Sequence, residues 1–167
     1  MHVLTFCLLK NTITDKTLTC ASETWTLVKR DRKQLNIFER KVYRRILGPV
    51  YRNEKENWRI LTNKEIHARV KKPTMIETIR LNRLRWFGHV QRMEENRIPK
   101  RVLYILYMNL GTTRLRGRPR NRWQDEVTDD GRIVGGEGCQ EKVHNREEWK
   151  KLLRTAKHCR ILHMPME

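Results

Sequence analysis

One segment of the sequence restricts the possible folds more than any other. Between Arg97 and Arg122 the chain has eight arginine and lysine residues and no acidic residue, and the segment ends in Arg116-Gly117-Arg118-Pro119-Arg120-Asn121-Arg122-Trp123. Such a run is poorly suited to a hydrophobic core, because a buried charge needs a partner. A polyanion is a suitable partner, since guanidinium groups pair with phosphate. Gly-Arg-Pro keeps the backbone extended and narrow enough to follow a groove. The segment predicts a basic loop that contacts nucleic acid.

Charge is unevenly distributed along the 167 residues. Of the net charge of +18, residues 28–72 contribute +10 and residues 97–122 contribute +8, whereas residues 1–27 are neutral, residues 73–96 contribute +1 and residues 123–167 contribute −1. Two basic blocks followed by a nearly balanced tail are typical of proteins that bind nucleic acid, and less often of proteins that bind anionic membrane surfaces. We therefore expect nucleic acid, either RNA or DNA, as the partner.

The cysteines and the N-terminal residues indicate the cellular compartment. Cys7, Cys20, Cys139 and Cys159 are far apart and lack any Cys-x-x-Cys spacing, which is typical of free thiols in a reducing compartment. The apolar run Val3–Leu9 is short and no positively charged region precedes it, so it does not predict a signal peptide. No stretch approaches the roughly 20 apolar residues that a membrane span needs. We expect a nuclear or cytoplasmic protein that is not secreted and has no membrane partner.

Hydrophobic periodicity predicts an all-α fold, a small domain of five or six short helices with an irregular N-terminal segment and basic loops. We expect an irregular remnant or linker at residues 1–27, a helical nucleic-acid-binding domain at residues 28–160 and a frayed tail at residues 161–167. The predicted helices run from Asp31 to Gly48-Pro49, from Thr62 to Val70, from Thr74 to Met93, from Ile98 to Met108, from Arg122 to Thr128 and from Asn145 to Lys157.

The same periodicity predicts which residues are buried. Asp31 and Asn145 are the expected N-caps of the first and last helices, and Thr62-Asn63-Lys64-Glu65 is an expected capping box. Gly88 is expected where another backbone approaches closely. The glycine-rich residues 131–138 predict a flexible connector. The expected core residues are Leu35, Phe38, Val42 and Ile46 on the first helix; Trp58 and Ile60 as anchors of the loop after it; Val102, Leu103, Ile105 and Leu106; and Trp149, Leu152, Leu153 and Ala156 on the last helix.

Six short motifs follow one another in an order and spacing that are hard to reach by chance. They are Ser22-Glu23-Thr24-Trp25; Phe38-Glu39-Arg40-Lys41-Val42-x-Arg44-Arg45-Ile46-Leu47-Gly48-Pro49; Trp58-Arg59-Ile60 with Thr62-Asn63-Lys64-Glu65-Ile66; Arg83-Leu84-Arg85-Trp86-Phe87-Gly88-His89-Val90; Gly117-Arg118-Pro119-Arg120-x-Arg122-Trp123; and Asn145-Arg146-Glu147-Glu148-Trp149. The set resembles the C-terminal region of reverse transcriptases from non-LTR retrotransposons, over about residues 22–157. Cys20-Ala21 stands where that family usually has Tyr-Gly, and residues 1–19 do not match it.

The resemblance implies a nucleic-acid-binding region that follows the polymerase thumb, here in a truncated fragment. In that family the endonuclease domain and the polymerase palm lie upstream of this region, so the resemblance implies a chain without a catalytic centre of its own. No cofactor and no metal site are predicted. A second interpretation is a helical protein-interaction module that docks onto the upstream polymerase domain through exposed apolar residues such as Trp25, Phe38 and Trp86. A third is a non-functional remnant.

Two groups of basic residues are the candidate nucleic-acid-binding sites. The first is Arg40, Lys41, Arg44 and Arg45, which fall mostly off the apolar stripe of the first helix and are expected to contact one backbone. The second is Arg114, Arg116, Arg118, Arg120 and Arg122, expected to contact another backbone. Within it, Arg116-Gly117-Arg118-Pro119 matches the core of an AT-hook, which lays arginines into a narrow minor groove. A solvated basic linker is the alternative, since Leu115 stands where a full hook has proline.

Three further patterns permit alternative chemistry. Asp129-Asp130 is the one carboxylate pair that could mimic a polymerase metal site, but an acidic helix end is the favoured interpretation. Cys139, His144, His158 and Cys159 could bind zinc, although adjacent His158-Cys159 is an awkward pair of ligands. His89 is expected to be a packed histidine rather than a catalytic base, and Trp123 is expected in the core rather than stacked on a base.

Overall fold

A computed structural model describes residues 10–53, 56–70, 72–108, 122–135 and 139–158, with the backbone alone described at positions 11, 106–108, 139–140 and 158. Within these ranges the chain is mostly helical with one two-stranded sheet, so the predicted all-α class is confirmed. The elements are a π-helical turn (Lys10–Thr14), α1 (Asp15–Leu18), a 3₁₀ turn (Ser22–Thr24), α2 (Lys29–Leu47), β1 (Val50–Arg52), β2 (Asn57–Arg59), α3 (Asn63–Val70), α4 (Met75–Gln91), α5 (Ile98–Met108), α6 (Trp123–Gly135), α7 (Cys139–Lys142) and α8 (Arg146–His158). None of these helices has the length and hydrophobicity that crossing a bilayer requires.

The described residues form two compact units. The first unit contains the residues up to Cys20 and those from Leu27 to Thr78. The second contains Ala21–Thr26 and the residues from Ile79 onwards. Each unit has its own cluster of buried apolar side chains.

Residues 10–18, part of the segment expected to be irregular, instead form short helical turns that are tied to α2. Lys10 is 4% exposed, and its Nζ lies 3.0 Å from Oδ1 of Asp15 and 3.4 Å from Oε1 of Glu39. The same ammonium group donates a 2.9 Å hydrogen bond to the hydroxyl of Tyr43. A buried cation is tolerated only with such partners. Residues 10–20 are therefore part of the first unit rather than an unattached segment.

The buried side of α2 differs from the predicted apolar stripe. Its two buried residues are Glu39 and Tyr43, whereas the four stripe residues are half-buried or exposed. Glu39 is held inside because it pairs with Lys10 and because its Oε2 accepts a 3.2 Å hydrogen bond from the backbone N–H of Met75. Contacts with Lys10 and Met75 therefore determine which side of α2 is buried. The hydrophobic periodicity of the helix contains no information about these distant partners.

The helix ends of the first unit follow local signals in the sequence. Asp31 lies in the first turn of α2 rather than at its N-cap, and its Oδ2 accepts the N–H of Val28 at 3.3 Å. The helix stops as predicted at Gly48, whose φ of +68° is a conformation that glycine tolerates. The predicted capping box of α3 is confirmed, because Glu65 Oε2 accepts the N–H of Thr62 at 2.8 Å and Thr62 Oγ1 accepts the N–H of Glu65 at 3.4 Å.

The core of the first unit is small and excludes the predicted anchors. Strands β1 and β2 form an antiparallel hairpin in which Tyr51 is paired with Trp58. Trp58 and Ile60 are 69% and 71% exposed, so the expectation that they anchor the loop is wrong. The core consists of the buried Tyr43, Leu61 and Ile66, with Leu47, Val50 and Val70 packed against them.

The larger core of the second unit is built mainly by α4, α6 and α8. The predicted inward face of α8 is confirmed, since Trp149, Leu153 and Ala156 are buried and Leu152 is half-buried. The buried apolar residues of this core are Leu81, Leu84, Phe87, Val90, Leu103, Val127, Val143, Trp149, Leu153 and Ala156.

Helix α5 contributes less to this core than its sequence predicts. Leu103 is buried, but Val102 and Ile105 are 50% and 56% exposed, and Ile98 is 75% exposed. The side chain of Leu106 lies outside the described set. Only one side of α5 contacts the core through Leu103, so its exposed apolar residues remain in contact with water.

Helix α6 is longer than predicted. It runs through Gly131 to Gly135, where a flexible connector is expected, and Gly131 is buried. The helix continues because tertiary contacts of Asp130, described below, stabilise it where propensity alone does not. Residues 136–138 of the expected connector lie outside the described ranges.

Gly88 lies where the indole of Trp149 contacts α4. A Cβ atom at position 88 would be 2.2 Å from Nε1 and 2.7 Å from Cδ1 of Trp149, a side chain that is 2% exposed. The close neighbour is therefore an aromatic ring, not the backbone that the sequence analysis expects. The absence of a side chain at Gly88 lets α8 pack directly on α4.

Substitution of Gly88 by alanine tests this contact. In an exposed helix interior the change from glycine to alanine stabilises by about 1 kcal/mol, whereas overpacking a core costs about 1–3 kcal/mol. We expect Gly88→Ala to lower the free energy of unfolding by about 2 kcal/mol, measured by urea titration followed by tryptophan fluorescence. The control is His89→Ala at the exposed neighbouring position, which should change stability by less than about 0.5 kcal/mol. A Gly88→Ala variant as stable as the parent would contradict the contact.

Candidate nucleic-acid interface

The four basic residues predicted on the first helix lie on α2, and two of them are available to a ligand. Lys41 and Arg45 are exposed and have no ion-pair partner among the described residues. Arg40 is half-buried, and its Nε donates a 3.0 Å hydrogen bond to the carbonyl of Asn36. Arg44 donates hydrogen bonds to the carbonyl of Leu61 at 3.3 Å and to the side chain of Asn63 at 2.6 Å. The face is basic, but Arg44 also has a structural role in holding α2 to the start of α3.

The second predicted group lies mostly outside the described residues. This applies to Arg114, Arg116, Arg118 and Arg120, together with the AT-hook-like motif. Arg122 is described just before α6, where its backbone N–H donates a 3.3 Å hydrogen bond to Oδ2 of Asp125. Its side chain is half-buried, and Arg122 takes part in a further interaction within the chain. The expected contact of this segment with a nucleic-acid backbone stays a prediction.

A basic groove that the sequence pattern does not predict lies between α4 and α8. Its volume is about 530 Å³. Two of its cations are Arg85 on α4 and Arg92 directly after the end of α4, and none of the described side chains that line it is acidic. The lining residues are Arg85, Arg92, Arg146, Trp149, Lys150, Leu153, Arg154 and Lys157. We call this surface the α4–α8 groove.

The sequence of α8 explains why its cations share one side. Asn145 caps the helix as predicted, since its Oδ1 accepts the N–H groups of Glu147 and Glu148 at 3.2 and 3.4 Å. The cations of the groove recur at helical spacing and flank the buried side of α8, at Arg146, Lys150, Arg154 and Lys157. Net charge conceals this stripe because residues 123–167 sum to −1. The spacing of four, four and three residues is the signal that could have identified it.

Electrostatic repulsion inside the groove favours an anionic ligand. Burial lowers the pKa of Arg92, and the like charge of Arg146 lowers it further. Arg92 is held in place because its Nη1 donates a 2.7 Å hydrogen bond to the carbonyl of Val143. A guanidinium that is fixed beside another cation cannot relieve the repulsion by moving away. A phosphate between the two side chains would relieve it and accept hydrogen bonds from both.

The carboxylates considered for catalysis are arranged as a structural ion-pair network. Asp130 lies inside α6 rather than at a helix end, with Oδ1 3.1 Å from Nε of Arg80 and Oδ2 3.5 Å from Nη1 of Arg83. Nη1 of Arg83 also lies 2.7 Å from Oε2 of Glu126. Asp130 and Arg83 are 1% exposed, whereas Asp129 is exposed. Consecutive helix residues point about 100° apart, so the two aspartates do not face a common site.

The other alternative sites are only partly described. Of the four possible zinc ligands, His144 is the one whose side chain is described, and it is exposed. Among the described side chains no group of three or more His, Cys, Asp or Glu residues could hold a metal ion. His89 is exposed rather than packed.

The aromatic residues proposed for docking or stacking are mostly half-buried. Trp25 and Trp86 are half-buried, and Phe38 is exposed. Trp123 is half-buried against the core, with its ring centroid 5.3 Å from that of Trp86 in an edge-on arrangement. Its Nε1 donates a 2.7 Å hydrogen bond to the carbonyl of Glu23. Trp123 is thus a packing residue that holds the segment containing Glu23.

Comparisons with known proteins identify no relative. No protein-family model, no curated protein and no solved structure matches the chain. The resemblance to reverse transcriptases therefore stays an interpretation of the sequence motifs. Function is inferred from where the residues lie and what they contact.

Neighbouring aspartates provide a matched test of the buried ion-pair network. Removing one partner of a buried ion pair leaves uncompensated charge and costs about 3–5 kcal/mol. We expect Asp130→Asn to lower the free energy of unfolding by about 3 kcal/mol, because Arg80 and Arg83 lose a carboxylate. Asp129→Asn removes the same charge one residue away, at an exposed position, and should change stability by less than about 0.5 kcal/mol. Equal unfolding midpoints in urea for the two variants would show that the network does not stabilise the fold.

Proposed function

We propose that this chain binds nucleic acid through the phosphate backbone and has no catalytic centre of its own. This is the role expected of the C-terminal region of a non-LTR retrotransposon reverse transcriptase. The observation that supports it best is the α4–α8 groove, where six cationic side chains line one cavity and none of the described side chains that line it is acidic. A solvated charged surface normally mixes both signs, and a single-sign cleft concentrates anionic ligands.

The dimensions of α8 match the spacing of phosphates in a polynucleotide. From Arg146 to Lys157 the stripe spans about 16 Å, at 1.5 Å per residue. A duplex presents one phosphate per strand for about every 3.4 Å of axis, so the stripe can face several consecutive phosphates. Arg85 on α4 and Arg92 directly after it line the same groove and can approach the same backbone. The contact is electrostatic and does not depend on base sequence.

The basic face of α2 provides a second contact of the same kind. Lys41 and Arg45 are exposed four residues apart on one side of the helix, so both can approach one backbone. The predicted arginines between residues 114 and 122 would add a third contact. Because each site is sequence-independent, RNA template and target DNA are both compatible ligands.

A second candidate function is docking onto a polymerase core, and one observation favours it. Ile98, Val102 and Ile105 recur at helical spacing on α5 and are between 50% and 75% exposed. An apolar stripe of this kind is typical of a helix that packs on a partner. The two functions respond differently to salt, because phosphate binding weakens steeply as salt rises and apolar docking does not.

Two adjacent lysines on α8 allow a matched test of the proposed function. Lys150 lines the groove, whereas Lys151 lines a different hollow on the other side of the helix, and both are exposed. We expect Lys150→Glu to weaken duplex binding about tenfold and to make the log–log salt slope about one to two units shallower. Lys151→Glu carries the same change in net charge and should have a much smaller effect. Binding would be measured by fluorescence anisotropy across a salt series.

The parent protein sets the scale for that comparison. With all six groove cations engaged, the slope on duplex DNA should be about −5. Equal losses for Lys150→Glu and Lys151→Glu would mean that net charge, not the groove, controls binding. A slope near zero for the parent would exclude phosphate binding as the main interaction and favour docking through α5.

A further inference from the structure

The hairpin of the first unit carries an aromatic pair that faces water. Tyr51 and Trp58 are directly opposite each other on β1 and β2, and their ring centroids are 5.3 Å apart with an angle of 64° between the planes. Trp58 is 69% exposed and Tyr51 is 44% exposed. Burying a tryptophan side chain is among the largest gains available to a fold. Leaving it in solvent beside a second ring calls for an explanation.

The two sides of the hairpin have different roles. Val50 packs against the core of the first unit, and its partner Arg59 is bound on the same side by Glu65, with a 2.8 Å hydrogen bond from Nη1 to Oε2. That hydrogen bond raises the pKa of Arg59, so its charge is engaged within the fold. Alternation along a strand then directs Tyr51 and Trp58 to the opposite side. The inward side supports the fold, and the outward side is free for a ligand.

The hairpin lies in a strongly basic part of the sequence. The hairpin begins three residues after α2 ends, and Arg44 on the last turn of α2 is hydrogen-bonded to Leu61 and Asn63, just beyond β2. The exposed Arg45 lies in the same turn. Residues 28–72 carry a net charge of +10. An apolar protein partner would gain nothing from that charge, whereas a polyanion with flat aromatic groups matches both the charge and the rings.

We infer that Tyr51 and Trp58 form a stacking site for unpaired nucleobases, so that the first unit binds single-stranded nucleic acid. Base stacking on exposed aromatic side chains beside basic residues is a general way of holding single strands without sequence preference. Duplex bases are already stacked on one another and cannot use the site. The inference rests on the proposed function only in taking nucleic acid as the ligand, since the α4–α8 groove belongs to the other unit.

The groove and the aromatic pair would recognise different features of a polynucleotide. In the groove, Trp149 and Leu153 are 2% and 5% exposed, so their apolar surfaces are covered and no ring is available there for a base. The groove therefore binds phosphates, and the hairpin adds recognition of bases.

The experiment measures the affinity of the full chain for two 20-mers that have the same number of phosphate groups. One is oligothymidine and the other is an abasic oligonucleotide. The parent should bind oligothymidine about tenfold more tightly than the abasic strand. Trp58→Ala should remove that difference while leaving binding of the abasic strand unchanged. Trp58→Phe retains a ring and should keep most of the difference. Because Trp58 is exposed, neither change should alter the unfolding midpoint.

A matched control separates stacking from general apolar docking. Ile60 is as exposed as Trp58 and lies two residues away, but it has no ring, so Ile60→Ala should leave oligothymidine binding unchanged. Equal losses for Ile60→Ala and Trp58→Ala would overturn the inference in favour of an apolar partner surface. A parent that binds the two oligonucleotides equally would also overturn it, even if Lys150→Glu still weakens duplex binding. Conversely, Trp58→Ala could weaken oligothymidine binding while Lys150→Glu and Lys151→Glu reduce duplex binding equally. That result would support the stacking site and exclude the groove as the phosphate-binding site.

Discussion

The packing of Trp149 on Gly88 is the contact on which the proposed site depends. A Cβ atom at position 88 would overlap the indole at 2.2 Å, so α8 could not pack this closely on α4 with any other residue there. The same contact places the cations of α8 opposite Arg85 and Arg92. The absence of a side chain at Gly88 thus lets cationic residues of α8 and of the α4 end line a single groove.

Buried ion pairs determine which of the many cations remain for a ligand. Arg80 and Arg83 are neutralised by Asp130 and Glu126 inside the second unit, and Lys10 is surrounded by carboxylates in the first. These cations contribute to the net charge of +18 but are unavailable to a polyanion. The available ones are exposed and form no ion pair among the described residues, as at the four groove cations of α8 and at Lys41 and Arg45 of α2. Burial therefore separates structural cations from those that can bind phosphate.

Much of the secondary structure could be predicted because its signals are local. Gly48 ends α2, Thr62 and Glu65 close the start of α3, and Asn145 caps α8, each through contacts within a few residues. The errors concern long-range contacts. Glu39 is buried because Lys10 lies 29 positions earlier in the chain and pairs with it, and Trp58 is exposed because Val50 and Arg59 occupy the inward side of the hairpin. No periodicity within one element contains that information.

The amino-acid sequence by itself determined the all-α class, several helix ends and the excess of basic side chains, because propensity, capping and charge are properties of neighbouring residues. Only the tertiary structure decided which charges face a partner. The balanced charge of residues 123–167 conceals the stripe on α8, and the groove exists only because Gly88 lets that stripe lie against α4. The outward position of Tyr51 and Trp58 was likewise decided by packing on the other side of the hairpin. A binding site consists of exposed side chains, and the packing of the core determines which side chains are exposed.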